Sequence, residues 1–105
     1  MTEIRFFGQY GVILGYEISG HSTSSYDDTD GKIVCSAVSS AAYMAANTLS
    51  EIVGAKLDTD INDGYMLVKL MSSVDESQNT LKGFMLHSKE LSKIYRNYVK
   101  VYSEV

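Results

Sequence analysis

Apolar and polar residues alternate along the first part of the chain, as they do in half-buried strands. The alternation predicts two strands, Glu3–Phe7 and Gly11–Ile18. The glycine-rich segment Gly8–Gly11 between them favours a hairpin turn. The residues expected on the shared buried face are Ile4, Phe6, Val12, Leu14, Tyr16 and Ile18.

The period changes to that of a helix from Ile33 to about Val53. Apolar side chains then recur at spacings of three and four, which is typical of a helix with one buried stripe. Gly54 is expected to end this helix, and a loop rich in Ser, Thr and Asp, residues 20–31, precedes it. The predicted stripe consists of Cys35, Val38, Ala42, Ala45, Leu49 and Ile52.

A second hairpin follows the helix. The segments Lys56–Ile61 and Tyr65–Met71 have the pattern of strands, and Asn62–Gly64 between them is a strong turn signal because these residue types tolerate positive φ. A capping box formed by Ser73 and Glu76 then predicts the start of a second helix.

The second helix is expected to run to about Asn97, and the alternating segment Val99–Ser103 to form an edge strand. The order is β-β-α-β-β-α-β, which predicts a single α+β domain over residues 1–105, with two helices packed on a mixed or antiparallel sheet. The inner face of the second helix is predicted to carry Leu81, Phe84, Met85, Ser88, Leu91, Ile94, Tyr95 and Tyr98.

Composition narrows the function. At 105 residues with 45% hydrophobic residues, the chain has the profile of a small folded domain, for which a partner subunit would bury further surface. The net charge of −4 disfavours binding to nucleic acid. We expect no signal peptide, no membrane span and, with a single cysteine, a cytoplasmic location.

Cys35 and His21 are the candidates for chemistry. A thiol at a helix N-terminus is stabilised as the nucleophilic thiolate by the macrodipole and by free N–H groups. His21 follows the second predicted strand, from which the loop could bring its imidazole beside the sulfur to act as base and acid. The residues alone leave other roles open, because a lone cysteine is often a small buried hydrophobe and a histidine after glycine often a turn residue.

Other sites have less support. His87 lies mid-helix with no thiol near it in sequence, and a single cysteine with two scattered histidines does not form a recognisable metal-ligand set. The sequence also has no glycine-rich phosphate loop. We therefore expect neither a metal ion nor another cofactor.

Three segments, "ISGHS", "GKIVCSAVSSA" and Asn47–Leu49, resemble the ribosomal-processing cysteine protease family, Prp. In that family a Gly-His motif closes the second strand, and an Ile-Val-Cys-Ala-x-x-Ser segment opens the first helix. Here the matching residues are Gly20–His21 and Ile33–Ser39.

The resemblance implies a Cys–His endopeptidase of Firmicutes and related bacteria, acting as a homodimer. Such enzymes remove a hydrophobic N-terminal extension from a large-subunit ribosomal protein, the twenty-seventh in the usual count. Carried onto this chain, Cys35 is the nucleophile and His21 the general base and acid. Ser39 matches the family's serine and is expected to contact substrate or to pack locally.

One difference from the family concerns the residue before Ile-Val-Cys, which is Lys32 here where the family has aspartate. Asp30 could supply the missing carboxylate, or Lys32 could stabilise the thiolate. Asp30 is also a candidate for binding the substrate, through basic residues beyond the cut. Tyr26 in the loop, with Tyr43 and Met44 on the helix, are candidates for binding apolar substrate residues. Two alternatives stay open: a non-enzymatic dimeric adaptor in ribosome assembly with a structural cysteine, and a redox sensor.

Overall fold

The computed structural model describes residues 1–21 and 28–105, which form a five-stranded sheet and two helices. The element order and the α+β class are as predicted. A π-helical segment, Thr48–Val53, continues the first helix. The elements are β1 Thr2–Gln9, β2 Val12–Ser19, α1 Thr29–Asn47, β3 Leu57–Asn62, β4 Tyr65–Leu70, α2 Val74–Ile94 and β5 Val99–Glu104.

The sheet has the strand order β3-β4-β2-β1-β5. β1 and β4 each pair antiparallel with β2, and β3 pairs antiparallel with β4. β5 lies parallel to β1, so the sheet is mixed and the last strand is at an edge, as predicted. The pairing of β2 with β4 brings the end of the first hairpin beside the turn of the second.

The core lies between the sheet and the two helices. The rings of Phe6, Tyr16 and Phe84 meet at its centre, with Tyr16 and Phe84 4.8 Å apart in an edge-to-face arrangement. The Tyr16 hydroxyl donates a hydrogen bond of 2.8 Å to the carbonyl of Ala42 and so ties β2 to α1. The small side chains of α1 allow this close approach.

The prediction of which β2 residues are buried is wrong at the beginning of the strand. Ile13 is buried there, while Val12 and Leu14 are partly exposed. The register shifts between Phe7 and Gly8 of β1, where β2 contains one extra residue. Because a bulge of this kind reverses the alternation on one side, Ile13 and Tyr16 share the buried face although they are three residues apart.

The predicted first residue of the first helix is wrong. α1 begins at Thr29, four residues before the expected Ile33, and Asp28 caps it by accepting a hydrogen bond of 3.0 Å from the Gly31 amide. At the other end Ile52 is 80% exposed instead of buried. The wider turns of the π-helical segment move this position off the buried stripe. Gly54 ends the segment in a left-handed conformation, as expected.

Two details of the second helix also differ. Ser73 precedes α2 with a φ of 53° and makes no side-chain capping bond, so the predicted capping box does not form. A capping box needs extended backbone at this position. The helix ends at Ile94, which is 69% exposed because the buried stripe passes from Leu91 to Tyr95. Neither helix among the described residues is long and apolar enough to cross a membrane.

Candidate active site

The end of β2, one flank of α1 and the β3–β4 hairpin enclose a pocket of about 270 Å³. His21 and Cys35 both line this pocket. Its walls combine these two reactive side chains with apolar surface. The other lining residues are Thr2, Ile18, Gly20, Val38, Ser39, Ala42, Tyr43, Ile61, Asn62, Asp63, Gly64, Tyr65 and Met66.

Helical spacing places three pocket residues of α1 on one flank. Cys35, Ser39 and Tyr43 follow one another at intervals of four, so their side chains lie one above the other. Val34 and Val38, on the adjacent stripe, are buried against the sheet and fix the rotation of the helix. As a result Cys35 is half-buried, at the boundary between the core and the pocket.

His21 reaches the pocket from the last residues of the first hairpin. The ladder between β2 and β4 ends with Ser19 opposite Tyr65, and the Gly20 amide extends it by donating a hydrogen bond of 3.0 Å to the Gly64 carbonyl. His21 comes next, with an exposed side chain whose imidazole lies against Gly64. Sheet pairing therefore sets the position of this histidine.

The prediction that Cys35 lies at a helix N-terminus is wrong. Cys35 is the seventh residue of α1, whereas the influence of the macrodipole falls off within the first turn. The first-turn amide of Gly31 is already bonded to Asp28. Neither the helix dipole nor free amides at the start of α1 can therefore be credited with stabilising a thiolate or an oxyanion at Cys35.

The family model described as cysteine protease Prp matches residues 1–100. The chain belongs to the cysteine protease Prp family. It is therefore a peptide hydrolase that uses a thiol, and the resemblance found in its sequence motifs is confirmed.

Solved structures confirm the Prp fold. The essential ribosomal processing protease Prp from S. aureus, in complex with a covalently linked product peptide, aligns with a TM-score of 0.86 and 17% identity over 99% of this chain and 100% of that one. SMU.848 from Streptococcus mutans aligns with a TM-score of 0.82 and 25% identity, over 99% of this chain and 94% of the other. No curated protein matches the chain.

Three further site candidates, Asp30, Lys32 and Met44, are not among the described residues that line the pocket. Asp30 and Lys32 are exposed in the first turns of α1. Met44 borders a different groove, between α1 and α2. Tyr26 lies outside the described residues. Among those described, no group of three potential ligand side chains could hold a metal ion.

The β3–β4 hairpin was missed as part of this Prp site. Ile61, Asn62 and Gly64 line the pocket, although their sequence signalled only a turn. Their contribution depends on β4 pairing with β2, which the sequence pattern does not specify. The carboxylate that caps α1 was also missed, although Asp28 is a residue type strongly preferred at that position.

Proposed function

We propose that this protein is a cysteine endopeptidase that removes the N-terminal extension of a large-subunit ribosomal protein, the twenty-seventh. Cys35 is the nucleophile and His21 the general base and acid. The observation that carries the proposal is that both side chains line one pocket of a chain in the Prp family. The S. aureus relative, a ribosomal processing protease that was crystallised with a substrate peptide, supports the choice of substrate.

The reaction follows from thiol chemistry. His21 takes the proton of the Cys35 thiol, and the sulfur attacks the scissile carbonyl to form a tetrahedral intermediate. The imidazolium then protonates the leaving amine, the C–N bond breaks and an acyl-enzyme remains. Next, His21 removes a proton from water and the hydroxide attacks the thioester. The C–S bond then breaks, which releases the carboxyl product and leaves the Cys35 thiolate beside protonated His21.

In this mechanism the His21 imidazolium, and not the dipole of α1, stabilises the Cys35 thiolate. Because Cys35 lies beyond the first turn of α1, protonated His21 supplies the positive charge that stabilises the thiolate in this scheme. The pair must therefore be close together during the reaction. Lys32, three residues before Cys35, is the one basic residue of α1.

The rest of the pocket suits a hydrophobic peptide. Ile18, Val38 and Met66 supply buried apolar surface, and Tyr43, at 46% exposure, forms part of the rim. An extension that ends in apolar or aromatic residues would bury its side chains here. We assign the Ser39 hydroxyl, one turn from Cys35, to hydrogen bonding with the bound peptide.

The proposed substrate implies the setting. A protease that acts on a ribosomal protein meets it where ribosomes assemble, so we propose a cytoplasmic location. Detection of the protein in the soluble fraction of lysed cells, together with ribosomal subunits, would support this location. Its appearance in the culture medium would contradict it.

The test is cleavage of a synthetic peptide that spans the extension and the first mature residues. We expect the wild type to cut at one bond and Cys35→Ser to be inactive. His21→Ala should lose roughly a hundredfold or more in kcat, the usual contribution of a general base. Ser39→Ala should mainly raise KM. Mass spectrometry of the products identifies the bond, and thermal unfolding shows that each variant folds.

Two results would contradict the proposal. Equal cleavage by wild type and Cys35→Ser would exclude the nucleophile. A wild type that leaves this peptide intact, while its thiol reacts normally with an alkylating agent, would exclude the substrate.

A further inference from the structure

Gly64 contacts the proposed catalytic histidine in two ways. It is the second residue of the two-residue turn that joins β3 to β4, since Asn62 and Tyr65 form the last pair of that hairpin. Its carbonyl accepts the hydrogen bond from the Gly20 amide, directly before His21. Its α-carbon faces the imidazole ring of His21.

The space beside Gly64 is filled by the imidazole. A β-carbon added to Gly64 would lie 2.6 Å from Nε2 of His21, 3.2 Å from Cε1 and 3.4 Å from Cδ2. The first of these distances is far shorter than any normal contact between carbon and nitrogen. Any other residue type at position 64 would therefore displace the ring from its present position.

Gly64 limits the position of a side chain that the core does not hold. Its side chain is exposed, so burial in the core does not fix the ring. The turn of the β3–β4 hairpin lies against the ring. The same hairpin contributes Asn62, at the end of β3, and Asp63, in the turn, to the pocket wall, so the ring and the pocket share one support.

We infer that Gly64 is a positioning residue that holds the imidazole of His21 in front of the Cys35 pocket. This inference rests on the proposed Cys–His function. The missing side chain leaves room for the ring, and the carbonyl fixes the backbone that carries it. Displacement of a reacting group by about 1 Å can cost as much as a hundredfold in rate.

Gly11 offers a matched control for the backbone. It is the second residue of the two-residue turn between β1 and β2, with a φ of +77° against +71° at Gly64. A β-carbon at Gly11 would meet no heavy atom within 4 Å. It lies at the opposite end of β2 from His21, so alanine there introduces similar strain without touching the site.

The experiment compares Gly64→Ala, Gly11→Ala and His21→Ala with the wild type. Two rates are measured at neutral pH: cleavage of the extension peptide and alkylation of Cys35 by iodoacetamide. We expect Gly64→Ala to lower kcat roughly ten- to hundredfold with little change in KM, and to slow alkylation towards the rate of His21→Ala. Gly11→Ala should match the wild type in both.

The NMR signals of the imidazole distinguish a displaced ring from a general loss of stability. NMR resonances of the His21 ring should shift in Gly64→Ala and remain unchanged in Gly11→Ala. Urea unfolding of the two alanine variants should show similar losses of stability, since both place alanine at a positive φ.

The outcomes separate this inference from the function on which it rests. If Gly64→Ala and Gly11→Ala have the same kcat, and the His21 ring resonances are unchanged in both, the positioning role is overturned while the Cys–His pair stays intact. His21→Ala that equals the wild type in cleavage and alkylation would overturn the pair, and the positioning role with it. Slow catalysis and shifted resonances confined to Gly64→Ala support the inference.

Discussion

The buried hydroxyl of Tyr16 links the sheet to the helix that carries Cys35. Its ring packs against Phe84, and its oxygen donates to the Ala42 carbonyl, seven residues after Cys35 on the same helix. Burial raises the pKa of Tyr16 above the usual tyrosine value because a tyrosinate would lose its hydration there. A single side chain thus connects folding stability with the position of the α1 flank that lines the pocket.

Tyr16→Phe should change both the stability and its pH dependence. Below pH ~10 we expect a loss of about 1 kcal/mol for the hydrogen bond. As the pH rises above the usual tyrosine pKa, unfolded Tyr16 ionises while folded Tyr16 stays protonated, so the wild type loses stability. The phenylalanine variant lacks this loss, and its deficit should shrink in alkaline solution. Urea unfolding between pH 8 and 11 measures this difference.

Tyr10→Phe serves as the control, since Tyr10 is 95% exposed. It should unfold with the same pH dependence as the wild type. Parallel alkaline curves for Tyr16→Phe and the wild type would show that the Tyr16 hydroxyl does not stay protonated in the folded protein.

At the scale of elements, α1 brings the pocket together because its start and its rotation are both fixed. Asp28 caps the first turn, and the buried stripe that includes Val34 and Val38 holds one side of the helix against the sheet. The neighbouring flank then presents Cys35 to the pocket. The same helix therefore supplies core residues and a reactive residue from adjacent faces.

Asp28→Ala should destabilise the protein by about 1 kcal/mol, the usual value of an N-cap, because the Gly31 amide loses its acceptor. Asp30→Ala is the matched control, as Asp30 is exposed in the same turn and does not cap the helix. It should lose less, a few tenths of a kcal/mol from the helix dipole. Thermal or urea unfolding compares the two. Equal losses would show that the cap contributes nothing of its own.

At the scale of the whole molecule, the described surface retains several large apolar side chains. A chain of 105 residues buries roughly two-thirds of its unfolded surface on folding, less than a larger protein does. Association would cover part of what remains. Among the described residues, the most exposed of these side chains include Met44, Ile52, Leu86 and Ile94.

We therefore propose that the protein is a homodimer. Analytical ultracentrifugation at micromolar concentration should give a mass about twice that of one chain. Dilution should lower the mass if the two chains exchange. A mass equal to one chain at every concentration tested would contradict the dimer and leave the pocket of a single chain as the complete site.

Much of the fold could be predicted because the patterns are local. Alternation gave β1, the three-and-four spacing gave α1 and α2, and the turn residues Asn62–Gly64 gave the second hairpin. The details that failed depend on packing: the bulge that buries Ile13, the π-helical turns that expose Ile52, and the left-handed Ser73. None of these has a signature in the periodicity, because each is a compromise between a strand or helix and its neighbours.

The chemistry of the site divides in the same way. The sequence by itself determined the family and two reactive residue types, since His21 and Cys35 sit in short motifs whose identity does not depend on folding. Only the tertiary structure decided that His21 and Cys35 line one pocket and that the β3–β4 turn contacts His21. The reason is physical: residues far apart in the chain meet through strand pairing and helix packing, and those contacts set which neighbours a side chain has.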